Sequence, residues 1–379
     1  MKFLHISDLH LGKRVNEYSM LEDQEYILME ILRITDEERP DGVLIAGDVY
    51  DKSVPPAEAV GLFDRFLVAL AARKTEVFVI SGNHDSPERI AFGARLMDAS
   101  GIHMSPVYSG AVMPTAMTDE YGTVDVFMLP FVKPAHVRRY APDEEIGSYT
   151  DALRCAIACM ERNDQHRSVL VTHQFVTGAS RSESEEVSVG GTDNVDADVF
   201  EGFDYVSLGH IHRPQNCGEA RIRYCGTPLK YSFSEAKDEK SVTVVELKEK
   251  GNLTVRTVPL RPKRDLVELR GTYQDLTLKA FYENTTWQED YIHITLTDEE
   301  DIPDAAAKLR TIYHRLMKLS YDNRRTRTAA VITGAAQAET KSPLELFAAF
   351  YELQNGQSMS AEQTEYMRSL IEKTWEGEA

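Results

Sequence analysis

Five short apolar runs in this chain each end on a carboxylate, an amide or a histidine. "FLHIS" leads to Asp8 and His10, "GVLIAG" to Asp48 and Asp51, "EVFVISG" to Asn83, His84 and Asp85, "SVLVT" to His173, and "YVSLG" to His210 and His212. Runs of this length, rich in Val, Ile and Leu, read as strands buried on both faces. In an α/β sheet the groups at the carboxyl ends of strands face one crevice. The repetition therefore predicts a fold in which five strand ends meet.

Between the early runs, amphipathic segments around Leu21 to Ile34 and Ala57 to Ala72 have apolar residues at helical spacing. "VDVFMLP" reads as a further strand. "RIRYCG", "SVTVVEL" and "LTVRTVPL" follow with hairpin-like gaps such as "KEKGN", so this α/β domain, residues 1–260, closes with antiparallel pairing. A small α+β domain over 263–334 is expected from strands at "LVELR", "YIHITL" and "TAAVI" and a helix from Ile302 to about Met317. Leu309, Ile312, Tyr313 and Leu316 would share one face of that helix.

After the linker-like "GAAQAETK", two capping-box starts, Ser342 with Glu345 and Ser360 with Gln363, open a helical hairpin over 342–375. On its first helix Leu344, Phe347, Ala348 and Tyr351 form one apolar stripe, and Leu346, Phe350 and Leu353 a second. The second helix, with Met367, Leu370, Ile371 and Trp375, is wide enough to cover only one of them.

With 61 Asp and Glu against 42 Lys and Arg, the formal charge is -19, which excludes general attraction to a polyanion. Any phosphate contact must come from local basic groups. The candidates are Arg138 and Arg139, then Arg261, Lys263 and Arg264, then Arg324, Arg325 and Arg327. No apolar run reaches spanning length, and Met1-Lys2 passes straight into the first strand, so a soluble, cytoplasmic protein without a membrane partner is expected. Four cysteines without CxxC spacing read as thiols.

Asp8, His10, Asp48, Asn83, His173, His210 and His212 offer oxygen and imidazole donors and no thiolate, a set suited to manganese, iron or zinc. With Asp48 bridging, each of two ions receives four protein ligands. Two ions about 3.5 to 4 Å apart clamp a phosphate ester and make a nucleophile of water at neutral pH. His84 is then the candidate general acid, with Asp51 or Asp85 available to hold it protonated. Asp51 is equally placed to orient a histidine behind the ligands. His5, His103, His136, His166, His293 and His314 lack such context and read as structural or surface residues.

In this order, DxH, GDxxD, GNHD, a lone His and GHxH resemble the calcineurin-like metallophosphoesterase superfamily. "HISDLHLGK", "GDVYDKSVPP", "SGNHDSPER", "SVGGTDNV", "YVSLGHIHRPQ", "YCGTPLKYSFSE" and "SPLELFAAFYELQNG" narrow the resemblance to the bacterial nuclease subunits that work with SbcC-type, SMC-like ATPases. It implies a metallophosphoesterase β-sandwich flanked by helices, a small capping domain that contacts DNA, and a C-terminal hairpin docked on the ATPase.

The same resemblance implies a manganese-dependent, nucleoid-associated nuclease acting on DNA double-strand ends and hairpins, as a homodimer within a heterotetramer. Asp8, His10, Asp48 and His212 would hold one Mn2+, Asp48, Asn83, His173 and His210 the other, and His84 would serve catalysis. Self-association would use the helices after GDVYD and GNHD, with Leu62, Phe66, Ile90, Phe92 and Leu96. Two alternatives stand beside this reading, a phosphatase or phosphodiesterase of another substrate and a scaffold with a vestigial site. Phosphoprotein phosphatases of the superfamily carry Arg after GDxxD and Glu after GNH, where this chain has Lys52 and Asp85.

Overall fold

The computed structural model describes residues 1–105, 107–185, 193–300, 302–323, 343–355 and 358–376. The chain opens as alternating strands and helices: β1 (Lys2–Ile6), α1 (Leu21–Glu38), β2 (Gly42–Ala46), α2 (Ala57–Ala72), β3 (Glu76–Ile80) and β4 (Ile102–Met104). It continues through β5 (Thr115–Asp119), β6 (Gly122–Leu129), α3 (Tyr149–Ala158), β7 (Arg167–His173) and β8 (Tyr205–Gly209). The hairpins β9 (Gln215–Cys217) with β10 (Glu219–Tyr224) and β11 (Ser241–Leu247) with β12 (Leu253–Pro259) follow.

These strands form two six-stranded sheets, ordered β12-β11-β1-β2-β3-β4 and β9-β10-β8-β7-β6-β5. β1 to β4 are mutually parallel, as are β6, β7, β8 and β10, while β11 and β12 add antiparallel strands on the β1 edge. Alternation along each strand sorts the side chains into layers. In β2, Val43 and Ile45 meet α1 and α2, while Leu44 and Ala46 pack with Phe3, Phe78, Val169, Val171 and Tyr205 between the sheets. The outer face of the second sheet, with Phe127, Leu170 and Leu208, packs on Leu153 and Ala156 of α3. The expected sandwich flanked by helices is the fold observed.

The Gly residues of the strand-end motifs permit close approach, Gly209 between the two sheets and Gly82 between the neighbouring ends of β2 and β3. A Cβ on Gly209 would stand 1.8 Å from the Ala46 carbonyl oxygen, and one on Gly82 would stand 2.1 Å from Asp48 Oδ1. Neither position tolerates a side chain without displacing the backbone opposite.

The small unit is a parallel three-stranded sheet of β13 (Leu266–Gly271), β14 (Tyr291–Leu296) and, beyond a short helix α4 (Ala305–Arg310), β15 (Arg315–Tyr321). The helix expected from Ile302 to Met317 is thus a single short helix followed by a strand. Leu309, Tyr313 and Leu316 do face one core, but Leu316 reaches it from β15 after a turn, so helical spacing was satisfied without a continuous helix. The strand expected at "TAAVI", the linker "GAAQAETK" and Arg324, Arg325 and Arg327 lie outside the described residues. This sheet is tied to α1: Asp23 Oδ2 accepts from Tyr291 Oη at 2.7 Å and from Arg264 Nη1 at 2.9 Å, and Lys263 and Arg264 both pair with Glu22. These ion pairs occupy two of the basic groups proposed for phosphate contact.

Two helices close the described chain, α5 (Pro343–Asn355) and α6 (Ala361–Glu376). Ser360 and Gln363 form the reciprocal capping box, with Gln363 N donating to Ser360 Oγ at 3.2 Å and Ser360 N donating to Gln363 Oε1 at 2.9 Å. Phe347, Tyr351 and Met367 are half-buried around the groove between the helices, whereas Phe350 is 57% exposed and Leu346 is exposed beside it.

The expected interface on α2 is corrected. Ala59, Leu62, Phe63, Phe66, Leu67 and Leu70 are all buried in the chain's own core, because α2 is gripped by both the sheet and α1, and the apolar residues this helix leaves exposed are Val60 and Val68. Ile90 is buried as well, while Phe92 and Leu96 are each 83% exposed.

Candidate metal centre

All five strand ends converge where the carboxyl ends of β1, β2 and β3 in one sheet meet those of β7 and β8 in the other. Asp48 is central. Its Oδ2 lies 3.4 Å from His173 Nε2, 3.7 Å from His10 Nε2 and 3.9 Å from His84 Nε2. On one side, Asp8, His10 and His212 bring ligand-type atoms within 4.8 Å of one another, and His10 Nε2 is 3.1 Å from His212 Nε2. On the other, Asn83 Oδ1 is 2.9 Å from His173 Nε2 and 3.0 Å from His210 Nδ1. Asp8 touches both sides, since its Oδ1 accepts from the His210 backbone N at 3.0 Å.

The backbone that presents these groups is strained. Asp8, His10, Asp48 and His210 have φ of 53°, 44°, 48° and 102°, a region that costs a residue other than glycine on the order of 1–3 kcal/mol. Cross-strand bonds hold it: Asp8 N and His10 N donate to the carbonyls of Gly47 and Asp48 at 3.0 and 2.9 Å. Buried Gln24 of α1 accepts from Gly12 N at 2.9 Å and donates to the His10 carbonyl at 2.7 Å, and Tyr231 Oη donates to the Leu9 carbonyl at 2.6 Å. The buried Asp85 carboxylate accepts from the backbone N–H groups of Val49, Tyr50 and Gly82, lacing the second and third strand ends together.

The donor set fits divalent metal. The oxygen and imidazole donors of the five motifs collect in one pocket, with His10 and His173 both within reach of a single shared carboxylate. His10 Nδ1 and His210 Nε2 are buried without a hydrogen-bond partner. His173 Nδ1 donates to the Ala46 carbonyl at 2.9 Å, which turns Nε2 inward. Burial pushes the His173 imidazole down, but the charges of Asp48 and Asp8 and the bond to Ala46 outweigh it and raise the group to about 9. A crowd of imidazoles and carboxylates that must otherwise trade protons with one another is what a cation relieves.

His84 stands at the rim, its backbone N donating to Asp48 Oδ1 at 2.9 Å. The expectation that a carboxylate of Asp51 or Asp85 holds this imidazole differs from the geometry. It is the backbone carbonyl of Asp51 that meets His84 Nδ1, at 3.1 Å, leaving Nε2 turned to the pocket. The Asp51 carboxylate instead pairs with Lys13 at 2.6 Å and lies 3.7 Å from His10 Nδ1. Lys13, Gln24, Tyr231, Ser184 and Glu235 also surround the centre; Lys13, Tyr231 and Glu235 fall inside stretches that carry the family resemblance, whereas Gln24 and Ser184 lie in none of them. Of the histidines set aside, His5 bridges the sheets through Tyr205 Oη and the Leu208 carbonyl, and His103 is held by Asp98 and Glu76.

A two-sheet sandwich with such a centre at its strand ends defines a metallophosphoesterase. The calcineurin-like phosphoesterase family matches residues 1–214, and the chain belongs to that family. The family described as Type 5 capsule protein repressor C-terminal domain matches residues 262–355.

Two curated relatives place it more narrowly, in the SbcD branch. The SbcD subunit of the SbcCD nuclease of Staphylococcus epidermidis is 34% identical over 324 residues, 84% of this chain and 85% of that protein. Its namesake in Staphylococcus saprophyticus subsp. saprophyticus is 33% identical over 84% of each chain. The crystal structure of a dimetal phosphatase from Danio rerio superposes with a TM-score of 0.44 at 13% identity, covering 68% of this chain and 95% of that one. Among the described residues no helix is long and apolar enough to cross a membrane.

Proposed function

We propose that this chain is a manganese-dependent DNA nuclease, acting on double-strand ends and hairpins as the nuclease subunit beside an SbcC-type ATPase. The observation that carries the reading is the sharing of one carboxylate, Asp48, between two clusters of donors. Asp8, His10, Asp48 and His212 would hold one ion, and Asp48, Asn83, His173 and His210 the other. Bound there, the ions supply charge neutralisation on a phosphodiester and a nucleophile drawn from water at neutral pH. His84, with Nδ1 engaged by the Asp51 carbonyl, addresses the departing oxygen through Nε2 and, as imidazolium, donates its proton. Asp51 serves by holding this ring and by its charge behind His10.

The test is release of nucleotides from linear duplex DNA with Mn2+, against hydrolysis of nitrophenyl phosphate esters. Duplex cleavage lost on Asp48→Ala supports the reading. Ester hydrolysis without any action on DNA would favour the phosphatase alternative, and no turnover of either would favour a scaffold.

Metal binding should depend on pH. Because Asp48 raises His173 to about 9, the metal-free imidazole is protonated at pH 7, and ligation through Nε2 expels that proton. Affinity measured by titration calorimetry is expected to rise roughly tenfold per pH unit from pH 7 towards 9 and to level off above, with one proton released to buffer. A flat profile would remove His173 from the ligands.

The hairpin of α5 and α6 would dock on the ATPase, with Leu346 and Phe350 as the outward apolar stripe. A chain ending at Lys341 is expected to keep its fold and its cleavage of simple duplexes, yet to lose co-purification with the ATPase. Retained binding at full strength would refute this. The small unit around β13 to β15 would cap the centre against DNA, and Phe92 and Leu96 would contribute to pairing of two nuclease chains in the heterotetramer.

A further inference from the structure

Behind His212 runs a chain of hydrogen bonds, half-buried at Ser184 and fully buried at Glu235, whose direction can be worked out from donor and acceptor counting. Glu235 is fully buried and its Oε2 accepts from Lys240 Nζ at 2.6 Å, so the carboxylate is an acceptor on both oxygens. The Ser184 hydroxyl donates to Glu235 Oε1. A hydroxyl has one proton, and with it committed to Glu235, Ser184 Oγ accepts from the neighbouring Ser182 hydroxyl at 2.8 Å and faces His212 Nδ1 at 2.5 Å as an acceptor as well. Nδ1 must therefore carry the proton in this bond, and the lone pair of the neutral ring is on Nε2, which points at His10 and the Asp8 side of the centre.

The main chain of the same residue is held at both ends. His212 N donates to Glu185 Oε1 at 2.6 Å, and the His212 carbonyl accepts from Lys240 Nζ at 2.8 Å and from Thr227 N at 3.1 Å. Lys240 thus touches both the carboxylate and the backbone of the histidine it serves.

We propose that Ser184, Glu235 and Lys240 are positioning residues that lock His212 as the Nδ1–H tautomer and present Nε2 to a metal ion. The inference rests on the reading of His212 as a ligand. It explains why a buried ion pair, costly in itself, is kept beside the centre: Lys240 holds Glu235 charged, and the charge sets the direction of the serine proton.

The two readings separate in manganese titrations of the metal-free chain followed by calorimetry, with melting temperature monitored alongside. His212→Asn should bind one ion where the unaltered chain binds two. Ser184→Ala, which leaves the Glu235–Lys240 pair intact, should weaken one of the two sites about 10- to 100-fold and leave the other and the melting temperature unchanged. Ser184→Thr should restore it. Glu235→Gln can donate to the serine and reverse the chain, so nitrogen NMR of the metal-free protein should show the His212 proton moved from Nδ1 to Nε2.

Two full-affinity sites in Ser184→Ala beside one in His212→Asn would overturn the relay while leaving His212 a ligand. Two ions retained by His212→Asn would overturn both. An unmoved His212 proton in Glu235→Gln would also overturn the relay.

Discussion

Replacing Asp48 by alanine is expected to reduce bound manganese from two ions per chain and to lower duplex cleavage by roughly 10³-fold or more, the several kcal/mol that paired ions supply. Asp48 Oδ2 lies within 4 Å of a histidine of each cluster, His10 and His173. The substitution removes the bond from His84 N to Asp48 Oδ1, but the fold is expected to persist, since the motif's backbone is also held by Asp85 and by the bonds to β1. Calorimetry with Mn2+ and a melting curve of the metal-free chain check it together. Two ions still bound at unaltered affinity would show that the clusters do not share a carboxylate.

His84→Gln is expected to separate binding from turnover. Cleavage should fall about 10²- to 10⁴-fold, the usual contribution of a positioned acid, with two ions still bound. The support that residue 84 gives the centre comes from its backbone N, which bonds Asp48 Oδ1 and survives the change. A substrate with a leaving group too acidic to need protonation should recover most of the loss. Loss of an ion together with activity would move His84 among the ligands.

The strands, α1 and α2 and the convergence of the five strand ends could be read from the sequence because each motif is local: an apolar run, a Gly, a polar residue. α2 falls on Ala57–Ala72 as its periodicity implies. Contacts between distant segments left no such trace. Gln24 holds the His10 loop from a helix, and Ser184 meets Glu235 across 51 residues, with no spacing rule connecting them. The left-handed backbone at Asp8, His10, Asp48 and His210 was also hidden, since side chains other than Gly give no warning of it. Where periodicity misled, at Ile302 to Met317 and in the apolar width of α2, the residues were indeed apolar and buried. What differed was which element carried them and which surface covered them.

Asp23 and Gln24 are consecutive on α1 and both are buried, yet they serve different masters. Asp23 receives Tyr291 and Arg264 from the region of the small sheet, and Gln24 grips the loop that carries His10. α1 is a stiff rod, so a torque applied to the small sheet rotates Asp23 and, with no slack between neighbours, turns Gln24 by the same angle. The loop it grips already sits in a backbone conformation with little room to yield. A displacement of the outlying sheet that moved Asp23 would thus be felt, through Gln24, by the backbone of the loop that carries His10.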